Sequence, residues 1–239
     1  MYMNSGLPGK IFDDMQTDII RGVYPVGSKL PPERDLSKKY GASRFAVREA
    51  IAMLAQGGLV ETQPQSGTYI RDFQVNGSLD TLVRSLRVKR TIDRQTLDSL
   101  LKFRYTTETA AAHDAALRAG EADIAYLEKN LEMKSNHLRD IQVLTECDFD
   151  FHYTIIALSG NLISRLVFKS FEPIYSFFTE FFYSLDGAAE MSLQLNRKLL
   201  RALARKDATA SQRAMAAILR FGERRVYNAI RGSGPIIEL

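Results

Sequence analysis

The sequence predicts a mainly α-helical chain in two parts: three helices and a β-hairpin over residues 1–74, then an all-helical bundle of six or seven helices over residues 75–239. Three observations carry this. Residues 29–55 hold two short helices with a tight turn between them. Two β-prone runs follow, flanking a Pro- and Gly-containing turn. From Ser78 onward only helical periodicity is found. A chain of 239 residues, 45% hydrophobic, is long enough to bury one large core or two ordinary ones.

Residues 1–7 are expected to fray. A first helix then runs from Gly9 to Arg21, where Ile11, Met15 and Ile19 recur every four residues beside Ile20 and supply one wall of a core. The second helix is announced by Leu30-Pro31-Pro32, because proline fixes φ near the helical value and lacks an amide proton that an opening turn could not use. Glu33 and Asp35 meet the positive end of the peptide dipole in its first turn. Leu36 and Tyr40 give an inner edge, and Gly41 stops the helix. Ser43 is placed to cap a third helix. There Val47, Ala50, Ile51 and Leu54 form one apolar stripe, while Arg44 and Arg48, four apart, lie on another face. A helix so divided can pack on its own domain and offer arginines to phosphates and base edges in a DNA groove. Any amphipathic helical hairpin can show this much, so the next segment decides. Leu59-Val60-Glu61-Thr62 and Thr68-Tyr69-Ile70-Arg71 flank Gln63-Pro64-Gln65-Ser66-Gly67 and predict a hairpin. Helix, turn, helix, then a two-stranded wing is the order of a winged helix-turn-helix.

Residues 11–70 resemble the DNA-binding domain of the GntR family of bacterial transcription regulators. The matching segments are Ile20-Arg21-Gly22, Pro25-Val26-Gly27, Lys29 to Leu36, Gly41-Ala42-Ser43-Arg44, Val47-Arg48-Glu49-Ala50-Ile51, Leu54, Gly58-Leu59-Val60 and Gly67-Thr68. The resemblance implies that Arg34, Arg44 and Arg48 contact DNA, around the capping Ser43, and that Gly67 at the wing tip reaches toward the minor groove. Phe45 and Ala46 stand where the family varies and are expected to tune base choice. Bulk charge does not single out this half: residues 1–72 carry nine Lys/Arg against eight Asp/Glu, within an overall net charge of +4. Placement of the arginines, not their number, makes the case.

Asp72 to Ser78, with Asn76-Gly77-Ser78, reads as a linker or helix cap. Helices are then expected over Leu79–Val88, Thr91–Arg118, Glu121–Ser135, Asp140–Leu158, Leu162–Ser184, Ala188–Lys206 and Ala208–Ile230. The fifth of these is densely aromatic, from Phe168 to Tyr183. The order resembles the effector-binding domain of the FadR branch of the same family. The residues that match are Leu100-Leu101-Lys102-Phe103-Arg104 with Glu108, Ala111-Ala112, Asp148-Phe149-Asp150-Phe151-His152, Ser159-Gly160-Asn161 and the Lys206-Asp207-Ala208 break. Many members of that branch hold a divalent ion on an aspartate and three histidines. Asp148 and His152, one helical turn apart, take the first two places, but the others fall at Asn196 and Ile218, an amide and a hydrocarbon that cannot replace imidazole. A metal-free cavity without a cofactor is therefore expected. Arg104, Asp148, His152 and Asn196 would form its polar floor and the aromatic helix its apolar wall, a make-up typical of small-molecule pockets. The competing reading makes His152 and the aromatics plain core.

The acyl-CoA-responsive regulators of this branch also lack the metal, and their Ser-Gly-Asn turn and mid-helix tyrosine align with Ser159-Gly160-Asn161 and Tyr175. The segment Phe221 to Tyr227 has no counterpart to their acyl-accommodating region, so an organic acid is the expected effector, with acyl-CoA and a metal-dependent regulator as alternatives. An Asp148–His152 acid–base pair alone lacks the oriented partners of an enzyme. The expected partners are a palindromic double-stranded operator, a second copy of the chain as homodimer, and the effector. The expected location is cytoplasmic: no run of about 18 apolar residues predicts a membrane span, residues 1–10 lack a secretory core, and the single Cys147 permits no internal disulfide.

Overall fold

A computed structural model describes residues 6–231 and the backbone of residues 236–238. Of the terminus expected to fray, residues 1–5 lie outside the described residues, and Leu7 is instead the first residue of a helix. The chain forms two compact units that divide after Arg90.

In the first unit, α1 (Leu7–Ile20) begins earlier than its periodicity suggests, because Pro8 sits in its first turn, where a missing amide proton costs nothing. Next come α2 (Glu33–Tyr40) and α3 (Arg44–Gln56). Gly41 ends α2 at φ 58°, and the Ser43 hydroxyl accepts the Ala46 amide at 3.2 Å to open α3. β1 (Val60–Gln63) and β2 (Gly67–Ile70) pair antiparallel, with Val60 opposite Ile70 and Gln63 opposite Gly67. Ile11, Met15, Leu36, Val47, Leu54 and Leu59 are fully or almost fully buried in one shared core. That core makes α3 a fixed shelf, with its apolar stripe inside and its arginines outside.

The unit does not stop at residue 74. One turn of helix, α4 (Phe73–Asn76), is capped by Asp72, and α5 (Leu79–Lys89) is capped by Ser78. The Thr81 hydroxyl donates to the Gly57 carbonyl at 2.9 Å, and Arg84 Nη1 reaches Asp13 Oδ1 at 2.7 Å, so α5 is tied to the first unit. Gly58 has φ 73°, and a Cβ there would collide with the Asn76 carbonyl. Only glycine allows that close approach.

The second unit holds α6 (Arg94–Arg118), α7 (Glu121–Asn136), α8 (Ile141–Leu158), α9 (Leu162–Ser170), α10 (Glu172–Tyr183), α11 (Ala188–Ala204) and α12 (Ala208–Ala229). Two expectations are corrected. The unit is not purely helical: β3 (Thr91–Asp93) pairs antiparallel with β4 (Ile236–Glu238), Ile92 opposite Ile237. A strand of three residues is too short to show a period of two, so it exists only through its partner far along the chain. The aromatic segment is not one helix either. Pro173 enters at the start of α10 and cannot continue the ladder of α9, so the chain breaks at Phe171. α8 packs against α6, α7, α9 and α10. The alanines of α6, Ala111, Ala112, Ala115 and Ala116, are buried and let its neighbours approach closely. Among the described residues, no helix is long and apolar enough to cross a membrane.

Ser43→Ala removes the cap of α3 and is expected to destabilise the first unit by about 1 kcal/mol, read as a lower midpoint in urea unfolding; Ser43→Asp should retain most of it.

Candidate functional site

Two regions gather the residues that the sequence singled out. On α3, Arg44 and Arg48 are exposed one turn apart. Among the described residues no hydrogen bond or ion pair engages Arg44. Arg48 donates its Nε to both oxygens of Glu33, at 2.8 and 2.9 Å, and Arg34 Nε meets Asp35 at 3.3 Å. Both pairs lie in solvent, with the two arginine side chains 69% exposed. Exposed ion pairs are worth ~0–1 kcal/mol, so a phosphate or base edge can displace them. Phe45 is 75% exposed at the start of α3, but Ala46 turns inward to the core at 7%. Of that pair only Phe45 presents its side chain to solvent. Ala46 lies beside Val47 on the stripe that fastens α3 to its unit. Gly67 has φ 139°, and a Cβ there would strike the Lys29 side chain. Lys29 itself bridges to Tyr69 through the backbone, which places one more exposed cation beside the wing. The next residue holds it there, the Leu30 amide donating to the Thr68 carbonyl of β2 at 2.8 Å.

The second region is a cavity of about 80 Å³ within the helical unit. α6 contributes Leu97, Leu100, Leu101 and Phe103. α9 and α10, with the residue between them, contribute Phe168, Phe171, Phe178 and Phe182, and α12 contributes Phe221 and Val226. Arg104, Asp148 and His152, expected at the floor, do line it, as does Tyr175, expected from the acyl-CoA resemblance. Asn196 does not: it is fully buried behind the floor. With its amide oriented to satisfy both neighbours, Asn196 donates to the Ser192 carbonyl and accepts from Lys134 Nζ, each at 3.1 Å.

The floor is a closed polar network. Arg104 Nε donates to Glu108 Oε1 at 2.7 Å and its Nη2 to the Tyr175 hydroxyl at 3.2 Å. The other oxygen of Glu108 pairs with His152 Nδ1. Tyr175 and Tyr183 donate to the two oxygens of Asp148, at 2.7 and 2.5 Å. Lys134, a fully buried lysine, donates to Asp148 Oδ1 at 2.7 Å and to Ser192 Oγ at 3.0 Å. His152 Nε2 stands 3.9 Å from Asp148 Oδ2, too far for a hydrogen bond.

These contacts fix the protonation states. Burial pushes the Asp148 carboxyl upward, but the Lys134 ammonium and then His152 outweigh it and hold the group well below the usual carboxylate range. Glu108, also pushed up by burial, is held low by the Arg104 guanidinium and His152. Burial and the Asp148 charge drive both tyrosine hydroxyls far above their ordinary value, so they remain donors. With Glu108 ionised, His152 Nδ1 carries a proton.

Glu108, Lys134, Ser192 and Tyr183 were not among the expected site residues. A signal for Lys134 existed: Leu127, Leu131 and Lys134 fall on one face of α7, and a lysine continuing a buried stripe must find a counter-charge. For Glu108 the signal was Arg104 four residues before it on one helical face.

Comparison with known proteins places these two regions in context. Residues 7–70 match the family model described as bacterial regulatory proteins, gntR family, and residues 99–221 match that of the FCD domain. The chain is similar to the HTH-type transcriptional regulator Mce2R of Mycobacterium tuberculosis, 30% identical over 213 residues that cover 89% of this chain and 88% of that protein. It is also similar to the galactonate operon transcriptional repressor of Escherichia coli, 26% identical over 210 residues, 87% of this chain and 91% of that one. Among solved structures, a GntR protein of Streptococcus agalactiae superimposes with a TM-score of 0.50 at 25% identity, over 92% of this chain and 99% of that one.

Two outcomes follow from the buried network. Lys134→Met leaves Asp148 charged without its ammonium and should cost about 3–5 kcal/mol of stability, part of which Lys134→Met/Asp148→Asn recovers. Both carboxyls titrate lower in the folded than in the unfolded chain, so their contribution is complete above the unfolded range near pH ~4 and is lost as pH falls below it. Thermal unfolding should show a steep loss of midpoint on acidification through that range, flattened by Asp148→Asn.

Proposed function

The chain belongs to the GntR family of bacterial regulatory proteins, a transcriptional regulator with an FCD effector domain and not an enzyme, and we propose that it is a metal-independent repressor whose operator binding is set by an organic acid. The reading of DNA is carried by one observation above all: Arg44 and Arg48 stand exposed on a helix whose opposite stripe is locked in a core. One such helix reads only a few base pairs, so the functional form is a homodimer on a palindromic operator. A cytoplasmic location goes with that partner.

For the effector, Arg104 Nη1 and His152 Nε2 are the polar atoms of the floor that no hydrogen bond occupies among the described residues. The guanidinium edge suits a carboxylate, while His152 Nε2, with the proton on Nδ1, offers an acceptor beside it. The rest of the wall is mainly leucine, phenylalanine, isoleucine and valine, with Tyr105, Thr179, Ser192 and Glu223 as its other polar members, and this apolar majority favours an acid with an apolar body over a polyhydroxylated one. The repressor reading is supported by the E. coli relative named for that role. The effector can change operator affinity only by binding the two states of the protein unequally.

Arg48→Ala is expected to weaken operator binding by ~1–3 kcal/mol in fluorescence anisotropy; affinity equal to wild type would remove Arg48 from base reading. A thermal-shift screen should show stabilisation by phenylacetate or octanoate, absent in Arg104→Met, and none by galactonate. Stabilisation by an acyl-CoA alone would replace the organic acid by the acyl-CoA alternative.

A further inference from the structure

The side chain that neither the DNA surface nor the cavity wall uses is Lys134. It comes from α7 and does not line the cavity, yet its ammonium sits fully buried behind Asp148. We propose that this ammonium is the resident cation of the site and stands in for the divalent ion implied by the likeness to the metal-binding members of the family.

Three features of the geometry lead there. First, the ammonium is saturated. Asp148 Oδ1 at 2.7 Å, Ser192 Oγ at 3.0 Å and the Asn196 side-chain oxygen at 3.1 Å supply three acceptors for its three protons. Second, both oxygens of Asp148 are engaged, and three of its four lone-pair sites are taken. Oδ1 already takes Lys134 and Tyr183, and Oδ2 takes Tyr175. Third, the charges are closed: Lys134 and Arg104 balance Asp148 and Glu108, all four held within the unit. A divalent ion would bring two further positive charges into a buried cluster whose two carboxylates already have their counter-charges, at a cost that burial makes severe.

The donor set completes the mismatch. Among the described residues no group of three or more His, Cys, Asp and Glu side chains is placed to hold a metal. Asn196 faces the ammonium as an acceptor, and Ile218 packs in the hydrocarbon core. A tethered cation has a different use from an exchangeable one. Lys134 fixes Asp148, and Asp148 fixes the hydroxyls of Tyr175 and Tyr183, so the floor is preset without a metal supply. Lys134 is thus a positioning residue. Its bearing on ligand binding rests on the cavity being the effector site; its exclusion of metal does not.

The test uses the full-length protein and zinc, nickel or manganese chloride. After incubation and desalting, elemental analysis of the wild type should find no stoichiometric metal, and neither the ions nor a chelator should move its melting temperature. Asn196→His/Ile218→His supplies the two missing imidazoles. With Lys134 retained, that variant should bind zinc weakly. With Lys134→Ala added, it should take about one zinc per chain and melt higher in its presence, its affinity rising by roughly 10- to 1000-fold, the range a single neighbouring charge exerts on an ionisable site. Equal zinc affinity with and without Lys134 overturns the proposal. So does a wild-type chain that retains one metal and loses it in Asp148→Asn, a measurement that stands even if the triple variant does not fold. None of these readouts involves DNA, so failure here leaves the regulator reading intact, and loss of operator control leaves this one intact.

Discussion

A carboxylate at the centre of a helical bundle constrains everything around it. Asp148 lies on α8, the helix against which α6, α7, α9 and α10 pack, and an ionised group there must be compensated or it will take up a proton. Compensation comes from three directions: an ammonium from α7 and hydroxyls from Tyr175 and Tyr183 on α10. Each of those partners is in turn held by a second group, Ser192 on α11 for the lysine and for Tyr183, and Arg104 on α6 for Tyr175. One buried charge thereby ties five helices into a single polar framework. The apolar clusters on either side give the unit its stability, and this framework gives it a particular arrangement.

The same residue type is used in opposite ways in the two units. Arg104 is largely buried, paired with a fully buried Glu108, and lies 4.3 Å from the centre of the Tyr175 ring. Its position is dictated by partners that it cannot leave without stranding a charge. Arg34, Arg44 and Arg48 are exposed on short or absent ion pairs whose net worth is small. They remain free to exchange a neighbouring carboxylate for a phosphate. A recognition surface requires that freedom, and a ligand floor requires its absence.

The composition of the cavity follows from where chain breaks fall. Pro173 divides the aromatic segment, so Phe168 and Tyr175 come from two helices and meet edge to face at 5.5 Å rather than lining up along one. Phe178 and Phe182, one turn apart on α10, face the cavity, whereas Tyr183 beside them turns to Asp148. Tyr175, Phe178 and Phe182 thus share the face of α10 that lines the cavity, and Tyr183 on the neighbouring face holds Asp148 from behind it.

Much of this was legible in the sequence because it is local. Caps, prolines, Gly41, the stripe of α3 and the paired β-prone runs each act within a few residues, and the i, i+4 spacing alone set Arg44 with Arg48 and Asp148 with His152. The hairpin of the wing and the existence of two units came from the same short-range rules, but not the pairing of Gln63 with Gly67, which the sequence placed in the turn. What tertiary structure decided is non-local. β3 exists only through pairing with β4 at the far end of the chain. Ala46 goes inward because the first unit's core claims it, and α5 joins that unit through Arg84 and Asp13, distant in sequence. Asn196 retreats behind the floor because Lys134 draws its oxygen. Periodicity reports which face of a helix is apolar but not which charge from another helix will meet it. The pairing of Lys134 with Asp148 depends on the packing of α7 against α8, and Coulomb and desolvation terms that large are fixed only once the two helices are in place.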